Sequence, residues 1–434
     1  MLERLFRLSE LKTTFRIEVV AGFTTFLTMA YIIFVNPQIL STTGMDAHAV
    51  FVATCLAAAI GSTIMALWAN WPIAMAPGMG LNAFFAFTVV AKLGYTWQQA
   101  LGAVFISGVV FLILSVTGLR RKLIDGIPTS MRSAIAAGIG LFLAIIALKG
   151  AGLVVASPAT LVTIGDLTSP SVLVAIGGFF VIAALDIHKV PGAILIGILI
   201  TTVVAILTGV SHFEGIASMP PSIAPTFLQL DIMGALHTGI FHVVLVMVLV
   251  EVFDATGTLI GVAKRAGLMV GGATHSNQGL RRALMADSTA IVAGSMLGTS
   301  STTAYIESAS GVQAGGRTGL TALTVAVLFL LATFLSPLAG SVPPQATAPA
   351  LLYVAVIMVR ELAEISWDDV TETAPAVLTA ITMPFTYSIA NGLAVGFVSY
   401  AVLKLLAGRG REVHVATWIV AALFVLRFVL YPEG

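Results

Sequence analysis

Residues 74–87 read AMAPGMGLNAFFAF, and this stretch decides the fold. It lies in a strongly apolar part of the chain, yet Pro77, Gly78 and Gly80 interrupt it, and Asn82 adds a side-chain amide. A membrane helix broken in this way leaves backbone N–H and C=O groups unpaired, which is tolerated only where they line a protein cavity. The stretch therefore predicts a half-helix that starts near Asn82 and points its positive end at a polar cavity. A simple helix kink is the plainer alternative.

The composition places the chain in a membrane. Of its 434 residues, 58% are hydrophobic and 9% are charged, whereas an average soluble domain carries about 25% charged residues. Because the apolar runs are long rather than alternating, the spans are expected to be helices and not the strands of a barrel. The net charge of +1 gives no sign of a nucleic-acid partner. The single cysteine, Cys55, excludes an intrachain disulfide.

Windows of about 20 apolar residues predict an all-α polytopic membrane protein with fourteen spans in two sets of seven. An amphipathic segment, residues 1–16, precedes the first set at 17–209, and a polar, proline-rich loop at 210–236 precedes the second set at 237–407. The apolar segment 408–434 contains a helix that we expect to lie at the interface rather than to cross. The predicted spans are 17–40, 48–70, 78–91, 98–117, 131–149, 170–186, 190–209, 237–263, 282–298, 303–315, 318–337, 345–360, 373–387 and 390–407.

Lysine and arginine predict the orientation. They cluster before the first span and in alternate loops after it, with Lys92 and Lys149 as exceptions. The chain is therefore expected in the cytoplasmic (inner) membrane with its amino terminus inside. Because each set holds an odd number of spans, the second set is inverted relative to the first, as in many secondary transporters. The residues behind this prediction are Arg4, Arg7, Lys12, Arg16, Arg120, Arg121, Lys122, Arg132, Lys189, Lys264, Arg265, Arg281, Arg282, Arg317, Lys404, Arg409 and Arg411.

Three acidic residues lie within predicted spans rather than in loops or at span ends. Glu251 is about 14 residues into the eighth span, which at about 1.5 Å per residue puts it near the midplane. Asp254 follows on nearly the same face, and Glu307 lies in the interrupted tenth element. A carboxylate at the bilayer centre costs roughly 2.5–3.5 kcal/mol, so such residues are functional candidates.

The surroundings of these acids suggest proton exchange. No lysine or arginine lies within their spans, and burial without a cation disfavours the charged form of a carboxylate. We therefore expect Glu251, Asp254 and Glu307 to alternate between protonated and ionised forms, as a proton-coupled carrier requires. The alternative is a structural role, in which helix ends donate hydrogen bonds to the carboxylates and fix the packing.

A second interruption, TSSTT at 299–303, faces the first one in the predicted arrangement. Its hydroxyl and β-branched residues favour a short extended piece that caps the half-helix holding Glu307. Two opposed half-helix starts and the eighth-span acids predict a small polar pocket that suits a planar heterocycle. Asp287, near the start of the ninth span, is expected to cap that span, with a second proton site as the alternative. The histidine and carboxylate spacings indicate no metal, and no cofactor is expected.

Five long stretches resemble the nucleobase–ascorbate transporter superfamily, and specifically its AzgA-like branch of purine permeases. Together they extend over nearly the whole chain. They are VVAGFTTFLTMAYIIFVNP (19–37), APGMGLNAFFAF (76–87), EVFDATGTLIGVAKRAGL (251–268), GTSSTTAYIESASGVQAGGRTGLTA (298–322) and SPLAGSVPPQATAPALLYV (336–354).

The resemblance implies two inverted seven-span repeats that form two domains. A core domain (17–117 and 237–337) would carry substrate past a gate domain (131–209 and 345–407), and short strands in the third and tenth elements would cross at the site. The resemblance further implies proton-coupled uptake of adenine, guanine or hypoxanthine by alternating access, and a homodimer formed through the gate domain.

The resemblance also implies the site residues. An asparagine of the third element, acids of the eighth span and a glutamate of the tenth element bind substrate in this branch, and backbone groups beside them are expected to add contacts. Position 251 is glutamate where close relatives often have aspartate, so the resemblance leaves open which eighth-span acid contacts the base. The implied residues are Asn82, Glu251, Asp254 and Glu307, with Gly80, Leu81 and Tyr305 as added contacts and Phe84 or Tyr305 as an aromatic that stacks on the ring.

Other function classes fit the sequence less well. A uracil/xanthine or anion carrier of the same fold is the nearest alternative, but three acids without an intramembrane cation disfavour an anionic substrate. A membrane-embedded enzyme would need a nucleophile, base or metal constellation. A channel would need charged or carbonyl rings along a continuous pore. We find neither pattern, and the chain is expected to be a transporter rather than an enzyme.

Overall fold

The computed structural model of the chain is mostly helical, with two small antiparallel sheets among the residues that it describes. Arg120, Arg121 and Lys122, which contribute to the predicted orientation, lie outside the described residues, and so does the end of the predicted C-terminal segment, 431–434. The described residues are 2–118, 126–237, 240–268 and 273–430.

The first half of the chain contributes helices to both predicted domains and contains three strands. Two helices continue as π-helix, α4 through Met65–Ala69 and α5 through Phe84–Lys92. The elements are α1 (Leu2–Phe6), α2 (Phe15–Met29), α3 (Ile32–Ser41), α4 (Ala47–Ile64), β1 (Met75–Pro77), α5 (Met79–Ala83), α6 (Trp97–Thr117), α7 (Thr129–Gly150), β2 (Val154–Ser157), β3 (Leu161–Ile164), α8 (Pro170–Ile187) and α9 (Ala193–Leu207).

The second half repeats the alternation of long and short helices around one strand. Short 3₁₀ turns follow three of its helices, at Thr333–Leu335, Arg360–Glu364 and Gly410–Glu412. The elements are α10 (Ile232–His237), α11 (Phe241–Arg265), α12 (Ala273–Leu297), β4 (Thr302–Ala304), α13 (Ser308–Gln313), α14 (Gly319–Ala332), α15 (Ser336–Ser341), α16 (Pro344–Val359), α17 (Val370–Thr386), α18 (Ile389–Leu406) and α19 (Val415–Leu430).

Helix starts follow local capping chemistry. The side chains of Thr14 and Asp46 accept backbone N–H groups from the first turns of α2 and α4. Thr96 and Gln99 form a reciprocal capping box at the start of α6. These side chains satisfy N–H groups that a helix cannot pair within itself, which is most costly to omit where no water is present.

Each predicted span overlaps helical residues, but helix length differs among them. In the part of the chain that the structure describes, nine helices are long and apolar enough to cross a membrane. Three shorter apolar helices cover Met79–Lys92, Ala193–Leu207 and Val415–Val429. The chain thus carries several membrane helices, while fourteen crossings and an inverted repeat stay predictions.

Four boundaries differ from the sequence-based expectation. The first span is interrupted at Ala30–Tyr31, which separates α2 from α3. The predicted loop 210–236 contains most of α10, because the carboxylate of Asp231 accepts the Gly234 N–H and starts a helical turn. Helix α12 begins well before the predicted start of the ninth span because its first turns are polar, and a hydropathy window does not detect them. The hairpin of β2 and β3 was not predicted.

The helices pack in two groups. In one, α4 packs on α12 and α14, and α6 packs on α12. In the other, α7 packs on α16 and α17, α8 packs on α9 and α16, and α17 packs on α18. The groups meet where α5 contacts α7 and α3 contacts α16. The middle of the molecule therefore lies at a boundary between two helix bundles.

A two-stranded sheet crosses the first group. Strands β1 and β4 pair antiparallel, with Met75 opposite Ala304 and Pro77 opposite Thr302. The short strands expected at the third and tenth elements are therefore present. Gly78 follows β1 directly, and a Cβ built on it would lie 2.8 Å from the Thr303 Cγ2 atom. Only glycine permits this close approach of the two segments.

Candidate functional site

The β1–β4 sheet leads directly into two short helices, one after each strand. The ladder extends beyond the strands, since the Gly78 N–H donates to the Ser301 carbonyl at 2.9 Å and the Tyr305 N–H donates to the Ala74 carbonyl at 3.0 Å. Helix α5 begins one residue after Gly78, and α13 begins shortly after Tyr305. Because the strands are antiparallel, the two helices leave the sheet from opposite ends.

Side-chain hydroxyls complete the hydrogen bonding of this sheet. Ser308 Oγ accepts the Ala74 N–H at 3.0 Å, and Ser62 Oγ accepts the Met75 N–H at 2.9 Å. The Tyr305 hydroxyl donates to the Pro77 carbonyl at 2.6 Å. These bonds satisfy backbone groups that water cannot reach, so two short strands are stable inside an apolar bundle.

Asn82 presents a donor at the start of α5. The side chain is buried, and its Oδ1 accepts a hydrogen bond from the Ser300 hydroxyl. Among the atoms that the structure describes, its Nδ2 has no hydrogen-bond partner. The N–H groups of Gly80 and Leu81 lie in the first turn, where a helix offers no earlier carbonyl to accept them. This helix start therefore collects donors.

Glu251 is fully buried beneath this sheet. Its Oε1 accepts hydrogen bonds from the Ser301 hydroxyl at 2.6 Å and from the Ser107 hydroxyl at 3.3 Å. The carboxylate therefore joins α11 to α6 and to the segment before β4. A carboxylate held by two hydroxyl donors is oriented without a cation.

Asp254 lies closer to the open side of the site and is partly exposed. Its Oδ2 lies 3.9 Å from a Cβ built on Gly78, and its carboxylate is close enough to Asp287 and Glu307 for like-charge repulsion. Asp254 and Glu307 form no ion pair with the residues that the structure describes. The site thus gathers acids and donors at the end of the sheet.

Glu307 caps the start of α13 and is half-buried. Its Oε1 accepts a hydrogen bond from the Tyr31 hydroxyl at 2.6 Å, and its carbonyl accepts the Ser310 hydroxyl at 2.7 Å. Acceptors at the start of α13 and donors at the start of α5 therefore flank one small sheet. Such an arrangement can bind a small planar molecule that carries both N–H groups and ring nitrogens.

Residues 16–395 match the model of a family described as the Permease family. The chain belongs to the nucleobase–ascorbate transporter superfamily. The family that the sequence motifs predict is therefore confirmed. Its members are multi-pass membrane permeases, which also confirms the prediction of a transporter rather than an enzyme.

Relatives of the permease match along its whole length. Adenine permease AdeP of Escherichia coli (strain K12) is 52% identical over 429 residues, which cover 99% of this chain and 96% of AdeP. Guanine/hypoxanthine permease PbuO of Bacillus subtilis (strain 168) is 44% identical over 436 residues, covering 98% of this chain and 100% of PbuO. The transmembrane domain of the cyanobacterial bicarbonate transporter BicA superposes with a TM-score of 0.67 at 18% identity, covering 87% of this chain and 97% of that domain. The BicA likeness concerns the fold alone.

The structure brings the seven sequence-predicted residues of the permease to one region. Asn82, Gly80 and Leu81 lie at the start of α5, and the other four surround the sheet. The backbone N–H and the hydroxyl of Tyr305 are both used within the sheet. Phe84, suggested as a stacking ring, is 1% exposed. Ligand contacts by these residues stay predictions.

One expectation about the permease was wrong. Asp287 does not cap the ninth helix, because α12 starts well before it and places it in the helix middle. Its Oδ1 instead accepts the Ala304 N–H at 3.3 Å and so supports β4. The hydropathy window placed the start of this helix at 282 instead of Ala273, so Asp287 was expected near its terminus although it lies in its interior.

Other side chains at the site of the permease were not identified from the sequence. Tyr31 and Ser107 carry no motif that points to the acids they contact. The hydroxyl-rich stretch with Ser300 and Ser301 was recognised, but only its backbone role was predicted. These partners are distant in sequence from Asn82, Glu251 and Glu307, and only the folded arrangement defines such pairs.

Proposed function

We propose that the permease takes up purine nucleobases, namely adenine, guanine or hypoxanthine, together with protons. The observation that carries this proposal is that one small sheet has a free amide donor, on Asn82, and carboxylate acceptors, on Asp254 and Glu307, around it. The names of its relatives support the substrate class, since AdeP is called an adenine permease and PbuO a guanine/hypoxanthine permease.

Purine recognition follows from hydrogen-bond matching. A purine presents ring nitrogens that accept and N–H groups that donate along one planar edge. The amide of Asn82 can donate to the first kind, and the carboxylates of Glu307 and Asp254 can accept from the second. A molecule that lacks one of these groups would leave a buried polar atom unpaired, which costs about 1–3 kcal/mol.

Proton coupling rests on Glu251. Its carboxylate is fully buried and accepts hydrogen bonds from two serine hydroxyls. In the proposed cycle a proton from outside neutralises Glu251, and the uncharged purine then binds Glu307 and Asn82. Release of the base inside frees the proton to the cytoplasm. Asp254 and Glu307 are the further sites for proton exchange.

Alternating access would move one helix group against the other. We propose that residues 17–117 and 237–337 form a core that carries the base, and that residues 131–209 and 345–407 form a gate. The separate packing of α4, α6, α12 and α14 from α7, α8, α16 and α17 supports this division. The proposal includes fourteen spans in two inverted repeats, a cytoplasmic membrane location with the amino terminus inside, and a homodimer through the gate.

Uptake into membrane vesicles tests the proposal. Radiolabelled adenine, guanine and hypoxanthine are offered in turn, with and without a protonophore, and with an unlabelled panel that includes uracil and xanthine. We expect saturable purine uptake that falls to the level of vesicles without the permease when the proton gradient collapses. Uptake that is indifferent to the protonophore contradicts proton coupling. Preferential competition by uracil or xanthine contradicts the purine assignment.

A further inference from the structure

Tyr31 lies at the interruption of the first span, between α2 and α3. Both Ala30 and Tyr31 keep right-handed helical torsion angles, but the regular helix stops before them and resumes at Ile32. The Tyr31 side chain is 1% exposed, so its hydroxyl needs a partner inside the protein. The interruption thus delivers a buried donor to the site.

The partner of this hydroxyl is the carboxylate of Glu307. Tyr31 Oη donates to Glu307 Oε1 at 2.6 Å, the short distance typical of an O–H group bound to a charged acceptor. One turn earlier, the Thr28 hydroxyl lies 3.0 Å from the Ser310 hydroxyl. Two contacts therefore join the end of α2 to the start of α13, and the hydrogen bond from Tyr31 involves only one of the two carboxylate oxygens.

We propose that Tyr31 is a positioning residue for the bound base. A glutamate side chain has three rotatable bonds, and fixing it before binding removes the ordering cost that a ligand would otherwise meet. By holding Oε1, the Tyr31 hydroxyl fixes the carboxylate and leaves Oε2 as the oxygen that can accept from a bound base. This inference rests on the proposed function, because it takes the molecule bound by Glu307 to be a purine.

The permease offers a matched control for this contact. On the gate helices, the Tyr353 hydroxyl donates to Asp186 Oδ2 at 2.5 Å. Tyr353→Phe therefore also removes a tyrosine hydroxyl that is bonded to a carboxylate, but in α16 and away from the proposed nucleobase site. A general effect of losing a tyrosine–carboxylate hydrogen bond appears in both variants, and a positioning effect appears only in Tyr31→Phe.

Uptake kinetics of purified permease in proteoliposomes measure the effect on the base. For labelled adenine, guanine or hypoxanthine, whichever the wild type transports, we expect Tyr31→Phe to raise KM by about 10- to 100-fold, as for loss of a hydrogen bond to a charged group. The maximal rate should stay within about twofold, because a positioning contact acts on binding of the base rather than on the movement that carries it. Tyr353→Phe should leave KM unchanged. An unchanged KM in Tyr31→Phe overturns the inference while leaving the purine assignment standing.

A second measurement needs no ligand and separates this inference from the substrate. Thermal unfolding midpoints in detergent are compared for wild type, Tyr31→Phe, Glu307→Gln and the double variant. If Tyr31 acts through Glu307, the double variant should unfold close to the less stable single variant. Additive shifts overturn the positioning role even if the wild type transports no purine. If the unfolding midpoints of the Tyr31 and Glu307 variants are not additive but the wild type takes up no purine, the proposed substrate is overturned instead.

Discussion

Glu307 lies at the start of a short helix and is half-buried, and one of its carboxylate oxygens accepts a hydrogen bond from Tyr31. Replacement by glutamine keeps the size of the side chain but removes its charge and one acceptor. We predict that Glu307→Gln weakens purine binding at least about tenfold, since hydrogen bonds to charged groups contribute about 1.5–3 kcal/mol. Equilibrium binding of labelled base to purified permease measures this change.

The control for that variant is Glu364→Gln, at an exposed position in the turn after α16. It removes one carboxylate charge far from the sheet and should bind as the wild type does. If Glu307→Gln binds the base as tightly as Glu364→Gln, then Glu307 does not contact substrate.

Gly80 is the residue at which α5 contacts α7. A Cβ built on Gly80 would lie 2.7 Å from Ile139 Cγ2, closer than side chains approach each other in folded proteins. Because Ile139 belongs to the opposite helix group, Gly80→Ala should obstruct movement between the groups. We predict that it lowers uptake at least about tenfold, and that adding Ile139→Ala restores much of the loss by removing the clash.

Gly177→Ala is the matched control, since Gly177 also lies in a membrane helix and a Cβ there meets no atom within 4 Å. It should transport at the wild-type rate. Normal uptake by Gly80→Ala, or failure of Ile139→Ala to improve it, would exclude the predicted obstruction. Initial uptake rates, normalised to the amount of permease in the membrane, provide the comparison.

At the residue scale, the sequence points to a candidate where a polar side chain conflicts with apolar surroundings. Asn82, Glu251 and Glu307 were identifiable because polar side chains are costly in a bilayer, and the structure brings them together at one sheet. Their partners Tyr31 and Ser107 were not identifiable, because a tyrosine or a serine in an apolar span is common and signals no particular contact. The free-energy cost of a polar side chain in a bilayer identifies the residue from sequence, whereas its hydrogen-bond partner is known only from the fold.

At the scale of elements, the start of α14 is stabilised by a carboxylate from α2. Glu18 is fully buried, and its Oε1 accepts the Arg317 N–H at 2.9 Å, while Oε2 accepts the Thr318 N–H at 3.2 Å and the Thr321 hydroxyl at 2.5 Å. An anion at a helix N-terminus binds the N–H groups that the helix leaves unpaired and favours the helix dipole. The cap joins two helices of the same group.

We predict that Glu18→Gln lowers the free energy of unfolding by about 1–2 kcal/mol, the usual effect of losing an N-terminal cap of this kind. Thermal unfolding in detergent measures the change. Glu10→Gln is the control, because Glu10 is 67% exposed and its nearest cation, Arg7, is 3.9 Å away. Equal midpoints for the two variants would show that the buried cap contributes nothing.

Element prediction from sequence worked for apolar helices and for the interrupted pair. The hydroxyl and β-branched residues at 299–303 predicted an extended piece, the resemblance implied strands in the third and tenth elements, and strands are present at 75–77 and 302–304. The hairpin of β2 and β3 was missed because its strands do not alternate between buried and exposed residues, and most of their side chains are exposed. The early start of α12 was missed because a polar helix outside the apolar window gives no hydropathy signal.

At the scale of the whole molecule, an ion cluster joins the ends of the gate helices. Arg409 contacts Asp369 at 2.6 Å and Glu412 at 2.8 Å, and the buried Lys404 contacts Glu372 at 2.7 Å. Hydrogen bonds from Thr371 and Arg409 hold the pKa of Asp369 below its usual value. Arg409 also lowers the pKa of Glu412. The cluster connects the start of α17 with the end of α18.

These lowered pKa values predict how stability depends on pH. A carboxyl group whose pKa is lower in the folded state stabilises that state above its unfolded pKa of about 4, and the stabilisation is lost as pH falls through the folded value. The unfolding midpoint should therefore decrease as pH falls below about 4. Arg409→Gln should show a smaller decrease, whereas Arg411→Gln, an exposed neighbour, should follow the wild type. Parallel curves for all three would contradict a role for Arg409.

Composition alone placed the whole chain in a membrane, because 9% charged residues cannot cover a water-facing surface. It did not define how many helices cross, since half-helices and long helices contain similar residues. Packing partners could not be predicted from composition either, because the contact of Gly80 with Ile139 depends on where the two helix groups meet. The sequence motifs nonetheless identified the family that the relatives confirm.

The β1–β4 ladder has a consequence for how the permease is made. One strand comes from each half of the chain, so a ribosome must complete nearly three quarters of the polypeptide before the first strand finds its mate. Until then, the backbone groups of β1 lack their partners in β4, and the unpaired strand is open to chaperones and proteases. Formation of this sheet therefore comes late in synthesis and requires both halves of the chain.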